Sequence, residues 1–249
     1  MALYMNGQEI SQSSGVPILG ATKPYIEEIY NSDGQLISAN MHGYDAIRSY
    51  MFSGCTNLAL TSLPSGLTSI SSYTFHSCSN LALTSLPSGI TSIGLGAFLN
   101  CSKLALTSLP SGITSINIST FENCSNLALT SLPSGITSIK NNAFYSCTKL
   151  ALTSLPSGLT SIGRDAFYYC PNLALTSLPS GLTDIGNNAF EKCTGLTSIT
   201  FTGTPTSIGN RAFSNCTNLR TINVPWASGA VANAPWGATN ATINYGYAG

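Results

Sequence analysis

The chain has 249 residues, of which only 7% are charged, against roughly 25% in ordinary soluble domains. Nine Lys and Arg residues balance nine Asp and Glu residues, so the sequence lacks the clustered cations that bind nucleic acids or anionic membrane surfaces. Hydrophobic residues make up 43% of the chain, which argues against disorder, and Ser and Thr, about a quarter of all residues, supply the polar surface.

The N-terminal 20 residues lack the basic start and apolar core of a secretory signal peptide, and no apolar run is long enough to insert into a membrane. Three interpretations stay open: a cytoplasmic product, a secreted chain without its leader, and a component of a virus particle. We expect an extracellular, cell-surface or virion-associated location, with the cytoplasm as the alternative.

Residues 1–43 predict an N-terminal β-type cap. Asn6-Gly7 and Asp33-Gly34 are turn signals of β-hairpins. Glu27-Glu28 is an acidic pair, but neighbours in sequence usually point apart. We therefore interpret it as solvated surface rather than as a catalytic pair.

Eight cysteines recur at intervals of 23 residues, and a leucine follows each of them three residues later. They are Cys55, Cys78, Cys101, Cys124, Cys147, Cys170, Cys193 and Cys216. A period of 20 to 50 residues indicates coils that stack on one another. We predict a solenoid over residues 44–225, with seven full 23-residue repeats from Leu58 and partial repeats at its flanks.

Counted from Leu58 as position 1, the unit reads L-A-L-T-S-L-P-S-G-(L/I)-T-S-I, three variable residues, A-F, two variable residues and C. Apolar residues at positions 1, 3 and 6 before Pro and Gly predict a short strand entering a turn. An extended piece follows, and the Phe75–Cys78 spacing predicts a helical turn. The predicted fold class is a repeat solenoid, α+β or mainly β, with a parallel sheet on one face and short helical or 3₁₀ turns elsewhere.

Stacking turns each apolar position into a continuous column, because one coil cannot close a core alone. The aromatic column consists of Phe75, Phe98, Phe121, Phe144, Phe167, Phe190 and Phe213. The cysteines lack the close clusters of a metal site, and the predicted coil spacing exceeds the Cβ separation of a disulfide. We predict free, buried thiols that behave as small hydrophobic side chains.

Residues 226–249 predict a C-terminal cap. Trp226 and Trp236, each preceded by proline, are placed to plug the last coil. The alternative is that these tryptophans are exposed and bind a partner.

The motif I-G-x-x-A-F-x-x-C-x-x-L resembles the BspA-like class of leucine-rich repeats over roughly residues 44–225. Its clearest copy is Ile185, Gly186, Ala189, Phe190, Cys193 and Leu196. The resemblance implies a curved right-handed solenoid and, in many relatives, surface display with adhesion to host proteins, cells or other microbes. The ends, Met1–Ser11 and Val224–Tyr245, resemble segments of prophage-encoded repeat proteins of gut bacteria.

The sequence departs from that family pattern in two places. Position 4, apolar in the family, is Thr in the first six repeats and returns to Ile only at Ile199 and Ile222. Pro, Ser and Gly follow the leucine of position 6, so no asparagine ladder is expected there.

No catalytic constellation can be identified. The chain has only His42 and His76 and nine scattered carboxylates, which form neither a triad nor a paired-carboxylate pattern. We therefore predict that the protein is not an enzyme and assign it no catalytic, cofactor or metal-binding residue.

Two kinds of surface distinguish the repeats. Positions 4, 5, 11 and 12 are almost always Thr or Ser and predict hydroxyl ladders, whereas positions 14–16, 19, 20, 22 and 23 vary. In the middle of the rod the variable positions carry Tyr145, Arg164, Tyr168 and Tyr169, residue types favoured as binding anchors. They are the candidate ligand-binding residues, with unconstrained surface as the alternative.

Three functions follow in order of preference. The first is a non-enzymatic binding or adhesion scaffold that recognises a protein, cell-surface or glycan ligand. The second is a structural or receptor-reading component of a phage or prophage tail. The third, based only on the hydroxyl ladders, is an ice- or water-ordering protein. The sequence does not specify the oligomeric state.

Overall fold

The structure, a computed structural model, describes residues 3–5, 8–10 and 25–248. Two antiparallel hairpins begin the chain and are formed by β1 (Leu3–Met5) with β2 (Gln8–Ile10) and by β3 (Tyr25–Tyr30) with β4 (Leu36–His42). The predicted turn at Asp33-Gly34 is confirmed: it joins β3 to β4, with φ of 73° at Gly34. The predicted turn at Asn6-Gly7 lies outside the described residues.

Twelve further strands, most of them two residues long, belong to the stacked coils. In chain order they are β5 (Ala46–Ile47), β6 (Ser69–Ile70), β7 (Ser92–Ile93), β8 (Ser115–Ile116), β9 (Ser138–Ile139), β10 (Ser161–Ile162), β11 (Ser177–Leu178), β12 (Asp184–Ile185), β13 (Ser198–Phe201), β14 (Ser207–Ile208), β15 (Thr221–Val224) and β16 (Thr242–Tyr245).

These strands pair in parallel, in three sheets ordered β5-β6-β7, β8-β9-β10-β12-β14 and β11-β13-β15-β16. From β5 to β15 paired residues are 23 apart in sequence, as Ile139 and Ile162 are. Each coil therefore repeats the path of the coil before it, and the predicted parallel solenoid is confirmed.

Eight of the two-residue strands (β5 to β10, β12 and β14) fall at positions 12 and 13. The strand that the sequence predicted at positions 1 to 6 forms in the last coils, as β11, β13 and β15. In the first repeat buried Leu60 is followed by two exposed residues, Thr61 and Ser62, which breaks the alternation that a half-buried strand needs. Ile199 and Ile222 restore an apolar residue at position 4. The alternation of buried and half-buried residues returns there, and the four-residue strands β13 and β15 form.

The segment predicted as a helical or 3₁₀ turn is a run of tight turns, and the described residues contain no helix. Positions 16 and 20 of each coil have a left-handed backbone, as at Asn142 (φ 57°) and Ser146 (φ 56°). Such residues cannot continue a right-handed helix. Their N–H groups instead donate to the next coil, at the carbonyls of Arg164 (2.9 Å) and Tyr168 (2.8 Å).

The core consists of columns along the solenoid. Successive phenylalanine rings are stacked nearly parallel, with centroids 5.3–5.7 Å apart, and Phe52 extends the predicted column by one residue. All eight cysteines are free thiols, as predicted; Cys55 is half-buried and the other seven are buried.

Trp226 and Trp236 close the C-terminal end of the core. Both are buried, and their ring centroids lie 5.2 and 6.2 Å from that of Phe201. The Trp236 carbonyl accepts the N–H of Phe213 at 3.0 Å, as the Ala212 carbonyl accepts that of Phe190 one coil earlier, so the backbone of Trp236 takes the place of the next alanine. The prediction that the tryptophans plug the last coil is confirmed.

Candidate binding edge

The turn segments of three central coils form the surface that we call the variable edge: residues 140–146, 163–169 and 186–192. The left-handed residues at positions 16 and 20 fix the backbone of each segment against its neighbours. Residues that share a position therefore lie one above the other on adjacent coils. A side chain at position 19 meets the side chains 23 or 24 residues away.

Tyr145 and Tyr168, both at position 19, form a stack. Their ring centroids are 4.7 Å apart and their planes differ by 5°. Lys192 caps the stack: its Nζ lies 4.9 Å from the centroid of the Tyr168 ring and donates a hydrogen bond of 2.6 Å to the Tyr168 hydroxyl. Three coils thus supply one aromatic and cationic cluster, with favourable ring stacking and cation–π contact.

Local electrostatics raise the pKa of two members of the cluster, Tyr145 and Lys192. Partial burial, then the neighbouring Tyr168, Asp165 and Glu122, raise the pKa of Tyr145. The hydrogen bond to Tyr168 is the largest cause that raises the pKa of Lys192. The Tyr145 phenol is therefore neutral and the lysine is charged.

Arg164 is oriented by its own neighbour rather than by the tyrosines. Its Nε donates to Oδ2 of Asp165 at 2.8 Å, while Asn188 donates to the other oxygen at 3.0 Å. The carboxylate is nearly buried and the arginine side chain is 68% exposed. A buried, doubly bonded acid thus holds an exposed guanidinium beside the stack.

Tyr169 is exposed and stands apart, since no ring contact in the described part of the chain joins it to Tyr145 or Tyr168. Of the four predicted residues, Tyr145 and Tyr168 are in contact, and Asp165 orients Arg164. The four predicted residues did not include Lys192 and Asp165. Lys192 follows Tyr169 in its column and Asp165 follows Asn142, so the 23-residue period was the signal that could have placed both on this edge.

Part of the predicted hydroxyl ladder lies on the surface and is hydrogen-bonded along the solenoid. Position 11 threonines donate to the carbonyl of the threonine one coil earlier, as Thr160 does to Thr137 at 3.0 Å and Thr183 to Thr160 at 3.0 Å. A ladder that the sequence did not predict runs along position 22, where Ser125 donates to the Ser102 carbonyl at 3.3 Å. These hydroxyls are used to join coils.

The described residues contain no group of three or more His, Cys, Asp or Glu side chains that could hold a metal ion. Among them there is also no helix of the length and apolarity needed to cross a membrane. Glu27 and Glu28 accept hydrogen bonds from different residues, Asn40 and Tyr30.

A family model matches residues 29–151 and 116–233, and its description is a BspA type leucine rich repeat region of six copies. The two matches together span most of the chain, so the chain belongs to the BspA type leucine-rich repeat family. It is thus a leucine-rich repeat scaffold, an architecture typical of surface and binding proteins. The comparison with curated proteins finds no significant match.

Two solved structures resemble the chain. A leucine rich cell surface protein from Faecalibacterium prausnitzii superposes with a TM-score of 0.57 at 22% identity, covering 85% of this chain and 72% of that one. A leucine-rich repeat protein from Bacteroides ovatus gives 0.53 at 19% identity, covering 88% and 75%. At these identities the likeness shows the fold.

Proposed function

We propose that the chain is a non-enzymatic binding scaffold that adheres to a protein on a cell surface through the variable edge. The observation that carries the proposal is the Tyr145–Tyr168 stack with Lys192 bound to it, on an edge that also exposes Arg164 and Tyr169. Tyrosine and arginine are the residues that most often dominate protein interfaces. Adjacent coils hold the two stacked tyrosines and Asp165 holds Arg164, so these side chains lose little entropy on binding.

The stacking geometry favours a protein ligand over a glycan. A sugar ring binds on the face of an aromatic ring, but Tyr145 and Tyr168 each cover one face of the other, and Lys192 binds the Tyr168 hydroxyl. The cluster offers ring edges, phenol hydroxyls and cations instead. Such groups suit the mixed apolar and hydrogen-bonding contacts of a protein surface.

The test is binding of the protein, carrying an N-terminal fluorescent tag, to intact bacterial and epithelial cells. We expect saturable binding that falls at least about 10-fold when Tyr145, Arg164, Tyr168 and Tyr169 are all changed to Ser, because hot-spot truncations cost about 2 kcal/mol or more. Tyr50→Ser is the matched control, since Tyr50 is 60% exposed on a distant N-terminal coil.

Two further samples separate the ligand classes and the contributing groups. Mild protease treatment of the cells should abolish binding, whereas glycosidase treatment should leave it intact. A Tyr145→Phe, Tyr168→Phe double variant keeps the stacked rings and removes the hydroxyls, so we expect a smaller loss than in the serine variant. Binding that survives the four serine substitutions, or that resists protease and disappears with glycosidase, contradicts the proposal.

A further inference from the structure

The last strand of the solenoid leaves one edge unpaired. Strand β16 pairs with β15, and no other strand among the described residues lies on its outer side. Thr242 donates its N–H to the Arg220 carbonyl at 2.9 Å, which shows that this residue faces β15. Because successive residues of a strand point their N–H and C=O groups in opposite directions, Ile243 and Tyr245 direct theirs away from β15.

Nothing in the sequence of this end protects the edge. Natural edge strands usually carry lysine, proline or a bulge that prevents pairing with another chain. Residues 221–249 contain no charged side chain at all, and β16 itself reads T-I-N-Y. Tyr245 is exposed, and Ile243 is only partly buried at the rim of the core.

A ladder of side chains on the outer face of the same sheet also ends at β16. Asn223 donates to the Thr200 hydroxyl at 3.1 Å, and Asn244 donates to Oδ1 of Asn223 at 2.8 Å. Asn244 is exposed and ends the series. Its own amide oxygen is therefore positioned to accept a hydrogen bond from a further strand.

We propose that β16 pairs with β16 of a second copy of this chain, antiparallel, about a two-fold axis that passes beside Asn244. In this register Ile243 lies opposite Tyr245 of the second copy, and by symmetry Tyr245 lies opposite its Ile243. Each of these two pairs exchanges two backbone hydrogen bonds, four in all. The two Asn244 residues face each other as the non-hydrogen-bonded pair. Isoleucine opposite tyrosine is a favourable cross-strand pair, and amides can donate to and accept from one another.

A second copy fits this edge because the strand is self-complementary about Asn244 and carries no charge that would repel its own image. Such an isologous interface closes on itself and gives a dimer rather than a fibre. The short strand limits the interface, so we expect a dissociation constant on the order of 10 µM. The two solenoids would point away from each other, with one variable edge on each.

The first test is sedimentation equilibrium at protein concentrations of about 1–100 µM. We expect the mass to rise from 25.9 kDa towards twice that value. Asn244→Lys places two cations against each other at the axis and should shift dissociation at least about 10-fold. Ser157→Lys, which adds the same charge at an exposed position on a central coil, should leave dimerisation unchanged.

The second test does not depend on the stability of the lysine variant. Paired non-hydrogen-bonded residues have Cα atoms about 4.5 Å apart, within the range that a disulfide spans. Asn244→Cys should therefore form a covalent dimer under mild oxidation at least about 10-fold faster than Ser157→Cys, the exposed-thiol control. A wild-type chain that stays monomeric throughout the range overturns the proposal. The proposal is also overturned if the protein forms a dimer that Asn244→Lys does not weaken and Asn244→Cys does not crosslink.

Discussion

Each cysteine from Cys78 to Cys216 donates its S–H to the carbonyl of the phenylalanine 26 residues earlier, with sulfur to oxygen distances of 2.9–3.1 Å. The sequence predicted free buried thiols, and this is confirmed. It did not predict the hydrogen bond, because the direction of the phenylalanine carbonyl depends on the turn geometry of the previous coil. The cysteine column therefore contributes polar bonds between coils as well as apolar packing.

The buried thiols predict a loss of stability at alkaline pH. Burial raises the pKa of Cys78, Cys170 and Cys216 to about 12 from the ordinary value of 9.0. Above pH 9 the unfolded chain releases thiol protons that the folded chain retains, so the free energy of unfolding falls as the pH rises. Above pH 9 each buried thiol lowers the free energy of unfolding by up to about 1.4 kcal/mol per pH unit, and below pH 9 it has almost no effect on it.

The measurement is urea unfolding in reducing buffer at about pH 8 and pH 10. We expect a clearly lower midpoint at the higher pH. In Cys124→Ala, which has one titrating thiol fewer, the difference between the two midpoints should be smaller. Equal midpoints for the wild-type protein would show that the thiols are not buried in the folded state.

The coil differs from its prediction in the two places where tertiary contacts override local pattern. The leucines of positions 1 and 3 suggested a strand, but Thr at position 4 shifts the alternation by one residue. The A-F-x-x-C segment suggested a helical turn, but helical spacing cannot be distinguished from a chain of tight turns over six residues. Left-handed residues there include Tyr169, Lys192 and Arg211, residue types that give no sequence signal for a positive φ.

The left-handed positions give a test with opposite signs at two serines. Ser146 has φ of 56°, so glycine there relieves backbone strain and should stabilise the fold by about 0.5–1 kcal/mol. Ser134 is exposed and does not have a positive φ, so glycine there should destabilise by a similar amount through lost chain entropy. Thermal or urea unfolding of Ser146→Gly and Ser134→Gly measures both.

The test is whether the two substitutions change the free energy of unfolding with opposite signs. Both remove the same side chain, from a half-buried position at Ser146 and from an exposed one at Ser134. If the two substitutions shift the free energy of unfolding in the same direction, the alternating left-handed turn is wrong for this coil.

At the scale of the whole molecule, the 23-residue period allowed most of the architecture to be predicted. Any residue in a stack of equivalent coils has its column neighbour one period away, so the phenylalanine column and the contact between Tyr145 and Tyr168 follow from the numbering. The Arg164–Asp165 pair did not follow, because it joins neighbours within one coil and depends on side-chain rotamers. The contact of Lys192 with Tyr168 did not follow either. The flexible lysine side chain crosses from the column of Tyr169 to that of Tyr168, and the numbering does not specify that direction.

The coils stack in register around one column of free thiols, seven of which are buried. The most direct measurement is the number of thiols that react with a small aromatic disulfide reagent, in the freshly reduced native protein and after unfolding. We expect that only half-buried Cys55 reacts readily in the native protein, and that all eight cysteines react after unfolding. Prompt reaction of all eight in the native protein, or fewer than eight after unfolding without reductant, would contradict it.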